Sequence, residues 1–229
     1  MQGDWIKHRR FRWIDKRERW GLTLWGWAAA LLGLSAIVLI LVPGINDFLA
    51  IDCPVRGEIL VLEGWIPDYA IGEAVAEFGR GGYKRMIAVS GPIEKGSYLS
   101  EFKSYARLTQ ATLSAQGFDE GLIGIVEIGS VKKDRTYSSA KAVRQWAESQ
   151  GMHVHALDVY TLGVHARRSR LLFQEAFGDG VAVGVIAAED RRYDAKSWWK
   201  SSEGVRDVMS ELIAYVYALL FFHPSEEAK

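Results

Sequence analysis

The stretch VYTLGVHARRSRLLF, residues 159–173, carries both halves of an α/β repeat: a Val/Tyr-rich strand that ends at Thr161, and a helical pattern that starts at about residue 164. The helix opens with His165, Arg167, Arg168 and Arg170. Cations are disfavoured there, by roughly a few tenths of a kcal/mol each, because a helix N-terminus has partial positive charge and unpaired N–H donors. An anion facing the arginines would remove the mismatch.

The same alternation extends on both sides. Short, continuously apolar runs rich in Val and Ile occupy 58–63 (EILVLE), 85–90 (RMIAVS), 122–128 (LIGIVEI), 153–161 (HVHALDVYT) and 181–188 (VAVGVIAA), and each predicts a strand buried on both faces. Amphipathic spacing predicts helices over about 69–80, 98–116, 135–150 and 164–177. Strand and helix repeated in this way imply right-handed crossovers. The fold expected is a doubly wound, Rossmann-like α/β domain: a parallel sheet of about five strands with helices on both faces. A last helix, over about 204–222, contains LIAYVYALLFF, too short to cross a bilayer, and is expected to pack on the domain with its exposed end at the membrane surface.

Upstream, residues 20–42 contain no charge, and about 23 residues at about 1.5 Å each cross a hydrocarbon core of about 30 Å. A transmembrane helix over 20–43 is therefore expected before the domain, stopped by Pro43 and Gly44, with Trp20, Trp25 and Trp27 in an interfacial belt. Lys7, Arg9, Arg10, Arg12, Lys16, Arg17 and Arg19 precede it against Asp4, Asp15 and Glu18, so a formally neutral chain of 229 residues is basic over 1–19 and acidic after them. The basic tail is expected in the cytoplasm, and everything past a short stalk at 44–56 outside the inner membrane, with 223–229 as a tail. An acidic body argues against nucleic acid as a partner. Cys53 is the only cysteine, which excludes an internal disulfide and Cys-rich zinc sites.

Ligands of open parallel sheets bind beyond the carboxyl ends of the strands. Those corners hold Glu63, Gly64 and Trp65 after the first strand, Ser90 and Gly91 after the second, GSVKKDRTYSSAK with Arg135, Thr136 and Ser139 after the third, and Thr161 with His165, Arg167 and Arg168 after the fourth. Small and hydroxyl residues there let N–H groups approach an anion. Arg167 and Arg168 are expected to hold a phosphate or carboxylate, so that Arg168→Ala weakens binding and spares the fold. His165 is a candidate general acid or base, and Glu101, read as lying in a first helical turn, a second catalytic candidate. His153 and His155 share a strand face without a third ligand, so no metal site is expected. GRGGY at 79–83 follows a helix and precedes a strand, the order of a helix stop. No G-x-S-x-G elbow and no P-loop occurs, and the cofactor stays unidentified.

Four blocks, Ser90-Gly91, Ser100-Glu101, the Thr of DRTYSSA, and Thr161 with His165 and Arg168 in the spacing T-x-x-x-H-x-x-R, resemble the bacterial envelope family of YdcF-, SanA- and ElyC-like domains over about residues 57–222. The resemblance implies a Rossmann-type domain, often behind an N-terminal anchor, associated with envelope integrity and with cell-wall precursor or lipid-carrier metabolism. It brings no agreed reaction. Where that family shows T-x-E-N-A, this chain keeps Thr136 and Ala140 but carries Ser138 and Ser139 for the acid and the amide. Three roles follow as expectations: an enzyme acting on a phosphorylated envelope substrate or lipid-linked precursor, a module that only binds such a ligand, or a structural partner of envelope assembly proteins.

Overall fold

The computed structural model describes residues 22–224, so the basic tail, Trp20 and the last residues of the C-terminal tail lie outside the described residues. Five strands, β1 (Ile59–Glu63), β2 (Arg85–Ser90), β3 (Ile123–Glu127), β4 (Ala156–Leu162) and β5 (Ala182–Ala188), pair in parallel in the order β3-β2-β1-β4-β5. The chain winds outward from β1 through β2 to β3, returns to the other side of β1, and continues through β4 to β5. This is the expected doubly wound α/β architecture.

Helices α2 (Asp68–Gly81) and α3 (Tyr105–Ala115) cover one face, where Ile71, Ala74 and Leu113 pack against Leu60, Leu62, Met86 and Tyr160. Helices α4 (Arg135–Ser149) and α5 (Ala166–Phe177) cover the other, with Ala140, Val143 and Phe173 against Val61, Ile87, Val159 and Val185. Alternate residues of each strand thus enter different cores, which is why the strands are apolar without alternation.

Two helix boundaries differ from the sequence reading. Residues 98–104 are a loop, because Ser104 caps α3 by accepting from the Arg107 N–H at 3.2 Å while its own hydroxyl donates to Glu127 at 2.7 Å. Lys103 Nζ ties this loop by donating to the carbonyls of Ser97 and Ser100. Glu101 therefore lies in an exposed loop and not in a first helical turn. Likewise α1 (Leu24–Leu49) runs through Pro43, which removes a single helical hydrogen bond and leaves the rest intact.

The chain divides into two compact units at Ile40–Leu41. The first unit holds most of α1, a helix long and apolar enough to cross a membrane, with a mean hydropathy of 2.5 over its best window. In the second, Val42, Ile45 and Leu49 pack with Trp198 and with Val208, Leu212 and Tyr215 of α6 (Ser202–Leu220), and Trp198 Nε1 donates to the Val42 carbonyl at 3.2 Å. Residues 44–49 therefore belong to a helix fixed in the domain, and the extended stalk is confined to 50–56.

That segment is stapled to the sheet by Asp158, wholly buried in β4. Its carboxylate accepts from the N–H groups of Val55 at 2.8 Å and Arg56 at 2.7 Å and from the Tyr83 hydroxyl at 2.7 Å. Burial, and then this bond to a carboxylate, push the Tyr83 phenol pKa upward. Glycine is required opposite, since a Cβ on Gly184 would stand 2.0 Å from Asp158 Oδ1. His153 and His155, read as strand residues, precede β4, and His155 Nδ1 lies 3.2 Å from Glu58. Asp158→Ala strands three donors at about 1 to 3 kcal/mol each. Urea unfolding of the detergent-solubilised chain is expected to show a loss of at least about 3 kcal/mol, and a smaller loss would mean that water reaches the staple.

Candidate functional site

The winding reverses between β1 and β4, and a crevice forms where their carboxyl ends part. Glu63 closes β1 there, 3% exposed, with Oε2 accepting from the hydroxyls of Thr161 and, at 3.0 Å, of Ser169. Thr161 is fully buried and outside the cleft lining, so its role is to hold Glu63 and not to meet a ligand. Past β4 the chain turns at Gly163, whose φ of +47° suits a residue without a side chain, through one 3-10 turn into α5. This turn brings His165 over Glu63.

The imidazole is held on three sides. Nε2 lies 3.6 Å from Glu63 Oε2, Nδ1 lies 2.9 Å from Glu211 Oε1, and the Trp65 ring meets it edge-on with centroids 5.0 Å apart. Arg168 forms a two-pronged pair with Glu211, Nε to Oε2 at 2.8 Å and Nη2 to Oε1 at 2.9 Å, and Nη1 donates to Thr136 Oγ1 at 3.2 Å. Arg168 Nη2 also stands 2.9 Å from Nδ1, but a ring nitrogen serves one partner. Because Nη2 already donates to Glu211, the assignment that pairs every charge has Nδ1–H donating to Glu211 as well. Burial works against a charge on Glu211, but the hydrogen bond and charge of His165, followed by those of Arg168, outweigh it and hold the carboxyl at about 2. The two carboxylates address opposite ring nitrogens and so do not converge as metal ligands would. At 3.6 Å the contact of Nε2 with Glu63 is an ion-pair separation and not a hydrogen bond, and it leaves Nε2 as the ring nitrogen that can exchange a proton with a bound group.

These residues form the floor of a cleft of about 770 Å³. Ser90, Gly91, Thr136 and Ser139 line it as expected, and Glu94, Lys132 and Arg135 stand at its rim. Arg135 pairs with Glu94 at 3.3 Å, both largely exposed. Past Glu211, the side formed by α6 carries Ala214, Tyr217 and Ala218, and Phe222 just beyond the helix extends it.

Four expected site residues are elsewhere. Glu101 is in its exposed loop. Both backbone groups of Gly64 are occupied, its N–H by the Val89 carbonyl and its C=O by Thr109 Oγ1 at 3.0 Å. Thr161 is structural. Arg167 points away from the cleft, where its Nε donates to the Phe48 carbonyl at the end of α1 and its guanidinium lies 4.0 Å from the Phe48 ring centroid. The sequence reading passed over Glu63 and Glu211 as functional groups. An acid closing an otherwise apolar strand at the ligand-binding edge marks Glu63; nothing local marks Glu211, 43 residues from its partner. The chain matches no family model and no curated protein.

The anion that Arg168 faces is thus Glu211 of its own chain, which reverses the expected effect of Arg168→Ala. Taking its two-pronged partner from a mostly buried carboxylate, which then keeps only the His165 ring, costs up to about 3 kcal/mol, so the variant is expected to destabilise the fold even without ligand. The folded-state pKa of Glu211 lies below its ordinary value of 4.5, so its contribution is complete above that pH and disappears as pH falls toward 2. Glu211→Gln is expected to be less stable at neutral pH and to lose less on acidification through this window, as read by urea unfolding. Parallel curves for the two proteins would show that Glu211 is not held ionised.

Proposed function

We propose that the protein is a membrane-anchored component of the bacterial envelope that binds a phosphate-containing ligand in this cleft and processes it by proton transfer through His165. The observation that carries the reading is the imidazole held between two carboxylates on the cleft floor. Glu211 fixes the ring through Nδ1, which leaves Nε2 to take a proton from a ligand hydroxyl or an attacking water, with the Glu63 carboxylate 3.6 Å away. Phosphate suits the rim better than the floor, because Lys132 and the N-terminus of α4 offer positive charge and N–H donors there, and the pair of Arg135 with Glu94 is exposed and so readily exchanged for a ligand. On the floor the same anion would meet Glu63 and Glu211.

Kinship with the YdcF-, SanA- and ElyC-like domains is part of this proposal. What supports it is that Ser90, Gly91, Thr136, His165 and Arg168, from three of the blocks that carry the resemblance, line one cleft. Orientation is a proposal as well, with the seven basic residues before the apolar run keeping the N-terminus in the cytoplasm and the domain outside the inner membrane. A reporter active only outside the cytoplasm, fused after Lys229, is expected to work, and one active only inside is expected to fail; the opposite pattern overturns the orientation.

Native mass spectrometry of the detergent-purified full chain is expected to show a co-purifying mass that loses phosphate on collisional activation. Substituting Lys132 and Arg135 together by Ala is expected to remove it. A ligand-free chain or a phosphorus-free adduct overturns the phosphate assignment. His165→Gln is expected to retain the adduct at higher occupancy, because conversion stops while binding persists; unchanged occupancy and an unchanged adduct mass would mean binding without chemistry.

A further inference from the structure

Helix α6 is apolar on two sides. Its inner side closes the cleft. Its outer side bears Val205, Met209, Ile213, Val216 and Leu220, spaced by three or four residues and all exposed, with Ile213 at 66% and Leu220 at 60%. Such a ridge of five large apolar side chains is costly in water.

We infer that this outer face of α6 lies on the lipid bilayer, so that one helix is the shared wall of the cleft and the membrane surface. Two observations select the bilayer over a second copy of the chain or another protein. The first is continuity with the apolar run. Its last residue, Val42, belongs to the same apolar cluster as Val208, Leu212 and Tyr215 of α6, so when the run is in lipid the middle of α6 lies close to the lipid–water boundary. The second is the distribution of polarity. In the first half of α6 the exposed positions include Arg206 and Ser210 beside the ridge. In the second half the exposed positions are the aliphatic Ile213, Val216, Leu219 and Leu220 together with Tyr217, which also lines the cleft, and the exposed Phe221 follows the helix. A partner helix needs a narrow stripe, whereas a lipid surface solvates a wide arc, with aromatic side chains favoured at its boundary. The widening toward Phe221 means that the helix is tilted, its C-terminal end deeper.

The inference rests on the anchoring part of the proposed function and is independent of the ligand and the chemistry. With Cys53→Ser as background, a nitroxide is attached to single cysteines placed at Ser210, Met209, Ile213, Val216 or Leu220 in the full chain. The chain is reconstituted in nanodiscs of phosphatidylcholine and phosphatidylglycerol, and collision with oxygen is compared with collision with a water-soluble nickel chelate. Positions 213, 216 and 220 are expected to favour oxygen several-fold, with depth increasing from 209 to 220, and position 210 to favour nickel. Ile213→Glu with Leu220→Glu is expected to return the label at 216 to water while the chain stays in the membrane. Labels in water along the whole ridge, in a chain that alkaline washing leaves in native membranes, overturn the docking and leave the anchor standing. Labels shielded from both reagents overturn it in favour of a protein cover. Release of the chain by alkaline washing removes the anchor and the docking together.

Discussion

The pairing of Arg168 with Glu211 is the contact on which the carboxyl edge of the sheet depends. It joins α5, which leaves the sheet beside the crevice, to the middle of α6, which contributes no strand crossover. The same carboxylate holds His165, so one ion pair sets the position of the cleft wall and the orientation of the imidazole on its floor. Such a pair gives up hydration to form, and its geometry compensates through two parallel N–H···O bonds, a third donor from the ring, and Thr136 on the remaining arm of the guanidinium. A salt bridge from Arg192 to Asp207 and the packing of Val208 on Leu49 hold the start of α6 independently, which lets the pair act as a latch at mid-helix.

The cations at the start of α5 are compensated one by one. Arg167 meets the last carbonyls of α1, the negative end of another helix, and Arg170 donates to the Val183 carbonyl at 2.9 Å. Arg168 takes a carboxylate. Three tertiary acceptors thus replace the single external anion that the local sequence suggested, and the dipole mismatch is removed inside the fold. A cationic helix start is therefore evidence of a nearby acceptor and not, by itself, of a ligand.

Much of the architecture was legible because it is periodic. Continuous Val/Ile runs located all five strands, β2 to the residue, and their separation by amphipathic stretches led to the doubly wound sheet. The failures came from contacts distant in sequence. Apolar spacing continues through 98–104, but Ser104 is held by Glu127, 23 residues on, and caps α3 where it stands. Pro43 marks a helix end until Leu49 finds its place beside Val208. At the site, the spacing groups His165 and Arg168, which line one crevice, with Thr161, which is buried behind it on Glu63, yet it assigns their partners to a ligand. The true partners, Glu63 and Glu211, come from the first strand and the last helix, and only the folded sheet makes them neighbours.

The position of α6 after all five strands gives the site an order of assembly in time. A polypeptide emerges from its N-terminus, so α1, the sheet and His165 are all made before Glu211 exists. Until the last helix arrives, Arg168 has no carboxylate, the imidazole is unoriented and the cleft lacks a wall. The floor of the cleft therefore closes only after all five strands have been made. A chain cut short before residue 211 would contain every strand but neither the carboxylate partner of Arg168 nor the apolar side of the cleft, so a closed floor marks a chain made at least as far as α6.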